Sequence, residues 1–304
     1  MVRLGGLKVK NPYLFAPIDA YSDSAFRRLC SDYGASYSFT QLVHTAGFIR
    51  KPVSLKKKLD LKVEGGIQFI SNSPDELKEA VRLVNEKEFY EGIENVKSID
   101  LNLGCPSQKM RRLNLGSALL SQPKLVKELF RVMRKFSVLP VSAKMRLNDG
   151  SAVEIAKLAE KELDFITIHG RSAEQAYSGS VNLDAMRDVC GSVSIPVVGN
   201  GSVVDVESAD RMLEFCSAVM VGRHALREPF IFRQLSRRSW RCDYEKEKRR
   251  CISEYLRYAM LYEVDFKYVK LHLQLLLKGL DKELMTGLAR AKNMDCINRI
   301  MQCL

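Results

Sequence analysis

Between Tyr13 and about Val221, short apolar runs alternate with amphipathic stretches. The runs are Tyr13–Ala16, Ser36–Val43, Gly66–Ile70, Ser98–Leu103, Val141–Met145, Phe165–Ile168, Ile195–Gly199 and Ala218–Val221. Runs of this length bounded by turn residues read as buried strands. The stretches between them include Ser24–Tyr33, Asp75–Phe89, Lys124–Phe136, Ala152–Lys161, Leu183–Cys190 and Asp205–Phe215, with apolar positions at helical spacing. Ser73-Pro74-Asp75 and Gln122-Pro123 mark helix starts, because a proline in the first turn gives up only an N–H that has no helical partner. Eight strand-then-helix units predict a closed (β/α)₈ TIM barrel. An open doubly wound sheet is the alternative. It usually has fewer strands, and no Gly-x-Gly-x-x-Gly follows the first run here.

After about Arg238 the pattern changes. Glycine and proline almost vanish, helical patterns take over from Glu245, and Cys251–Tyr262, Lys267–Leu277 and Lys282–Lys292 carry apolar residues three and four apart. The expected division is a barrel over residues 1–238 and a small all-helical domain over 239–304.

Size and composition narrow the class. The chain has 304 residues and 46% hydrophobic content, enough for a barrel-sized core. No apolar run approaches the roughly 20 residues that cross a bilayer, and the first six residues lack a leader's apolar segment. A cytoplasmic, monomeric protein without membrane contact is expected. Eight cysteines stand at 30, 105, 190, 216, 242, 251, 296 and 303, with no Cys-x-x-Cys pair and no clustering with the four histidines. No structural metal is expected, and the thiols should be reduced. A formal charge of +12 attracts polyanions, nucleic acid first among them, although a basic surface kept for solubility explains it as well. Arg233, Arg237, Arg238, Arg241, Lys246, Lys248, Arg249 and Arg250 concentrate this charge at the domain boundary.

In a barrel, chemistry gathers at the carboxyl ends of the strands. Asp100-Leu101-Asn102-Leu103-Gly104-Cys105-Pro106 runs from strand into turn and displays Cys105 on a loop. A free cysteine picked at random is more often a small buried hydrophobe. The other strand ends favour function. Pro17 follows the first strand, Gln68 lies on the third, Lys144 on the fifth and His169 on the sixth. A lysine inside an apolar strand is costly to bury without an anionic partner. Gly199-Asn200-Gly201 ends the seventh strand and Gly222-Arg223 the eighth, where barrels of this kind bind phosphate. Flavin mononucleotide (FMN) satisfies both halves, its phosphate at the glycine turns after strands seven and eight with Arg223, and its polar ring edge at Gln68, Lys144 and His169.

These stretches resemble the tRNA-dihydrouridine synthase family. The resemblance is carried by Ala16-Pro17, Ser22–Arg27, Gln68-Phe69, Asp100–Pro106, Gly116–Leu120, Lys144-Met145-Arg146, His169-Gly170-Arg171 with Gln175, Tyr177 and Gly179, Gly199-Asn200-Gly201 and Gly222-Arg223, in the family's order. His272 lies near the family's recurrent lysine–histidine stretch. The resemblance implies an FMN enzyme that reduces selected uridines in tRNA to 5,6-dihydrouridine, recharged by NADPH or NADH. Hydride would reach carbon 6 and Cys105 would protonate carbon 5. Pro17 would lie beside the flavin ring, Asn200, Gly201, Gly222 and Arg223 would hold the ribityl phosphate, and Asn102 would orient the uracil. The chain departs from the common pattern at Ile18–Tyr21, Thr40-Gln41 and Ser202-Val203. Lys109, Arg111, Arg112 and Arg171, with the helical tail, are the expected RNA surface. Two other readings fit a barrel with these residues. One is a flavin dehydrogenase of a small metabolite, of the dihydroorotate type, and the other is a non-catalytic RNA-binding barrel.

Overall fold

The computed structural model describes residues 1–50, 59–87, 90–148, 151–238, 240–280 and 282–301. Phe89, Ser239 and Cys303, which figure in the expectations above, lie outside the described residues. Eight parallel strands close a barrel: β3 (Tyr13–Phe15), β4 (Tyr37–His44), β5 (Gly65–Ile70), β6 (Val96–Leu103), β7 (Val141–Arg146), β8 (Phe165–His169), β9 (Val197–Asn200) and β10 (Ala218–Val221). Each pairs with its neighbour in sequence, and β10 closes the ring on β3 through Val219 against Tyr13 and Val221 against Phe15. All eight expected strands are present, with ends shifted by up to two residues.

Strand alternation decides what the barrel holds. On β6, Ile99, Leu101 and Leu103 belong to the apolar layer shared with the surrounding helices. Ser98, Asp100 and Asn102 occupy the opposite, inward face. The same two-residue period on β7 turns Ala143 and Met145 outward and Ser142, Lys144 and Arg146 inward. The helices start where local chemistry says they should. Asp23 caps Ser24–Asp32 by accepting from the Phe26 N–H, and Ser73 caps Pro74–Glu86 by accepting from the Glu76 N–H.

One feature escaped the sequence reading. Val2–Leu4 (β1) and Leu7–Val9 (β2) form an antiparallel hairpin across the amino-terminal end of the barrel. Leu4, Leu7 and Val9 pack there with Leu14, Phe39, Phe165, Val198 and Met220 in an apolar plug. Gly5 makes the turn at φ +57°, where an added Cβ would sit 2.5 Å from the Asp164 Cβ. A two-residue Gly-Gly turn between alternating residues is a local hairpin signal.

The carboxyl-terminal helices are Tyr244–Leu261, Phe266–Leu276, Lys282–Arg290 and Met294–Met301. The first begins one residue before the expected Glu245, capped by Asp243, and its charged opening turns pair internally as Glu245–Arg249. Cys251, Tyr255 and Leu273 of this tail belong to the same apolar cluster as the barrel's outer layer, and His272 stacks on Phe26 at 4.5 Å. Among the described residues, no helix is long and apolar enough to cross a membrane.

Candidate active site

At the carboxyl end of the strands lies a cavity of about 800 Å³. That is within the range of about 300–1,000 Å³ typical of small-molecule and cofactor sites. Cys105, Pro17, Gln68, Lys144, His169, Asn200, Gly201, Gly222, Arg223, Asn102 and Arg171 all line it, and Leu275 of the tail adds to its wall. Lys109, Arg111 and Arg112 do not. They sit on the exposed helix Gln108–Arg112, where Arg111 and Arg112 border a separate depression and Arg111 pairs with Glu174 at 3.7 Å.

A hydrogen-bonded chain crosses the barrel floor beneath the cavity. Asp100 Oδ1 accepts from Ser142 Oγ at 2.6 Å, and Oδ2 accepts from Gln68 Nε2 at 2.8 Å. Gln68 Oε1 accepts from Asn102 Nδ2 at 2.8 Å. Asn102 Oδ1 in turn accepts from the backbone N–H groups of Gly104 (3.1 Å) and Cys105 (2.9 Å). Burial raises the Asp100 carboxyl to about 6, while the bonds from Ser142 and Gln68 and the charge of Lys144 pull it back. The Cys105 loop is held from other sides too. Arg146 Nε donates to the Gly104 carbonyl at 2.8 Å, and Ser117 Oγ donates to the Cys105 carbonyl at 3.0 Å.

Four cations, Lys144, Arg146, Arg171 and Arg223, and a histidine set the polarity of the cavity. Burial first, and then the Arg146 charge, lowers Lys144 to about 8 against the opposing pull of Asp100. Lys144 forms no hydrogen bond or ion pair among the described residues, so its ammonium is free to meet a bound group. His169 is pushed down to about 2 by burial and by Lys144, Arg146, Arg171 and Arg223, so it is neutral throughout the ordinary pH range. Its Nδ1 accepts from the Arg171 N–H at 3.2 Å, which leaves the proton on Nε2 as a donor.

The glycine turns form the opposite end. Gly201 (φ +112°) and Ser202 (φ +54°) take positive φ in succession, bending the chain sharply after β9. An added Cβ at Gly222 would meet only the Ala16 Cβ, at 3.8 Å, so the backbone there is open to an approaching group. Exposed Arg223 lies over the Tyr177 ring at 4.4 Å. These groups suit an anionic tail, and the neutral histidine and unpaired ammonium suit a polar ring edge.

Most of the expected site residues line one cavity, but some of their partners differ from expectation. Arg171 is 6% exposed, and its guanidinium is engaged by the Gly179 carbonyl (2.8 and 2.9 Å) and by Ser202 Oγ (2.7 Å). Its place is the cavity wall, not an exposed rim. Much of the basic run is likewise engaged: Arg238 with Asp210, Arg233 with Glu247 and Arg249 with Glu245, while buried Lys248 donates to the Lys278 carbonyl. Two of the departures from the common family pattern have structural uses. Gln41 Oε1 accepts from the Ala20 N–H at 3.1 Å, and Ser202 receives Arg171. Asp100 and Arg146 were given no role from sequence, although their two-residue spacing from Asn102 and Lys144 places them on the inward face.

Comparison with known proteins bears on the family and the fold. The chain is 33% identical over 242 residues to tRNA-dihydrouridine synthase B of Pasteurella multocida (strain Pm70), covering 76% of this chain and 71% of that protein. It is 32% identical over 248 residues to tRNA-dihydrouridine synthase B of Yersinia pestis, covering 77% and 74%. Among solved structures, morphinone reductase superposes with a TM-score of 0.54 at 10% identity over 84% of this chain and 91% of that one. The crystal structure of TcOYE with pHBA gives 0.51 at 13% identity over 86% and 97%. These two superpositions speak to the barrel fold. The dihydrouridine synthase family model matches residues 14–297, nearly the whole barrel and tail, and the chain belongs to the dihydrouridine synthase family.

Proposed function

We propose that this protein reduces uridines in tRNA to 5,6-dihydrouridine, with FMN as resident cofactor and NADPH or NADH as electron donor. The observation that carries the reading is the convergence, in one cavity, of a loop-held thiol, an unpaired lysine, a neutral histidine and two glycine turns. The residues fit FMN. Lys144 Nζ and His169 Nε2–H are available for the ring's polar edge, with Gln68 behind them and Pro17 alongside. Asn200, Gly201, Gly222 and Arg223 are available for the phosphate. When bound, FMN supplies the hydride that adds to carbon 6 of the uracil.

The chain's own residues supply the rest. Hydride addition at carbon 6 leaves an electron pair shared between carbon 5 and the neighbouring carbonyl oxygen. Cys105 Sγ–H delivers its proton to carbon 5 and completes the new C–H bond. The Asn102 carboxamide, anchored at both ends, keeps a second N–H for the substrate base. The Lys144 ammonium favours accumulation of negative charge in the cavity. A target base inside folded tRNA must leave its stack to enter, and phosphate contacts from basic surface residues such as Lys109, Arg111 and Arg112 offset that cost.

The test uses purified flavin-loaded protein, NADPH and unmodified tRNA transcripts, with nucleoside mass spectrometry as readout. A gain of two hydrogens at a defined uridine is expected, dependent on NADPH. Cofactor oxidation without any modified uridine would point to a small-molecule substrate and overturn the reading.

A further inference from the structure

We propose that Asp100 is a positioning residue: its carboxylate, which can only accept, fixes the donor–acceptor sense of the Gln68–Asn102 amide chain and so holds the Cys105 loop at the cavity. The argument rests on what each end of the chain permits. Asp100, 1% exposed, has no proton to donate when ionised, so the Gln68 group facing it must be the amide nitrogen. The Gly104 and Cys105 N–H groups have no lone pair to offer, so the Asn102 atom facing them must be oxygen. With both ends fixed, the middle link can run only from Asn102 Nδ2 to Gln68 Oε1. Reversing any one amide would set two acceptors or two donors face to face at two links. Unsatisfied polar groups at that depth are expensive, so the polarity is strongly set. Ser142 completes the anchor by giving its hydroxyl hydrogen to the other carboxylate oxygen, at 2.6 Å.

Asp100 thus acts on Cys105 through two amides without touching it. A carboxylate here also offsets the charge of Lys144, which explains why an acid rather than a hydroxyl anchors the chain. The role assigned to the thiol rests on the synthase reading, whereas the polarity of the chain does not.

Moving the carboxylate along the chain tests this. In Asn102→Asp, a second acid faces the chain from the far end, and two acceptors must meet at one link unless a carboxyl takes up a proton and donates it. In the double variant Asp100→Asn/Asn102→Asp, the carboxylate stands at the loop end. Gln68 reverses, the carboxamide introduced at position 100 donates to it, and every link again pairs donor with acceptor. Four flavin-loaded proteins are compared: wild type, each single variant and the double variant. Unfolding midpoints are measured from pH 6 to 8, and the alkylation rate of Cys105 is followed by peptide mass spectrometry.

Asn102→Asp is expected to lose about 5 °C more than wild type across that range, because its extra proton is lost as pH rises. Its Cys105 alkylation should rise about tenfold, and the double variant should return towards wild type in both measures, a strongly non-additive cycle. If Asn102→Asp fails to fold, a folded double variant gives the same support. A double variant that is additive, or that fails to fold while Asp100→Asn folds, overturns the proposal. Neither readout requires uridine reduction, so the failure of the synthase reading would be seen separately.

Discussion

The two ends of the barrel are built from the same eight strands yet obey opposite rules. At the amino-terminal end the inward residues are Leu14, Phe39, Phe165, Val198 and Met220, sealed by Leu4, Leu7 and Val9 of the hairpin. At the carboxyl end they are Asn102, Lys144, His169 and Asn200, with Gln68 and Asp100 one layer below. The lower end is held by apolar burial and tolerates no cavity. The upper end accepts the cost of buried polar groups and keeps it bearable by hydrogen-bonding nearly all of them to one another. Among the described residues, Lys144, His169 Nε2 and buried Thr167 Oγ1 are the exceptions, and the first two line the cavity where a bound group could meet them. Stability is concentrated at one end and chemistry at the other.

The contrast can be broken from below. Phe165 is fully buried in the plug, and Phe165→Ala should cost about 3–5 kcal/mol in unfolding free energy. Flavin affinity, measured by fluorescence well below the midpoint, should change less than about threefold if the two ends are energetically separate. The upper end should answer to pH instead. With Lys144 at about 8, its charge is lost as pH rises through that value, so uridine reduction should decline above about pH 8. Lys144→Met should remove that decline along with most of the rate. No histidine limb should appear between pH 5 and 8, because His169 at about 2 stays neutral there. Stability follows the linked sign: a lysine lowered by folding destabilises the native state as pH falls from about 10.5 to 8, and Lys144→Met should flatten that slope. The smallest effect lies outside both ends. Replacing Arg111 or Arg112 by alanine should weaken tRNA binding modestly and reduce the salt slope by about one, leaving flavin affinity unchanged.

The architecture was legible because barrel strands and their helices repeat a simple pattern, and the turn chemistry at Ser73-Pro74 and Asp23 agrees with it. The residues of the cavity were legible because strand ends converge in any such barrel, so placing Cys105, Lys144 and His169 on strands already placed them near one another. What could not be read was partnership. Nothing local in the sequence says that Arg171 spends its guanidinium on the Gly179 carbonyl, or that Asp210 engages Arg238, since those contacts depend on how loops fold back. Charge along the chain therefore overstated the free basic surface. The polarity of the Asp100–Gln68–Asn102 chain was hidden for the same reason: it spans two strands, and only their register brings the three side chains together.

The central claim is that the upper end presents Cys105 as the proton donor to a reducible base. It is tested most directly by separating the two half-reactions of Cys105→Ala in a stopped-flow instrument. The variant should bind FMN and be reduced by NADPH at the wild-type rate. When the reduced enzyme is mixed with tRNA, formation of dihydrouridine should be slower by about 10²–10⁴-fold. Wild-type speed in that second half-reaction would contradict the account.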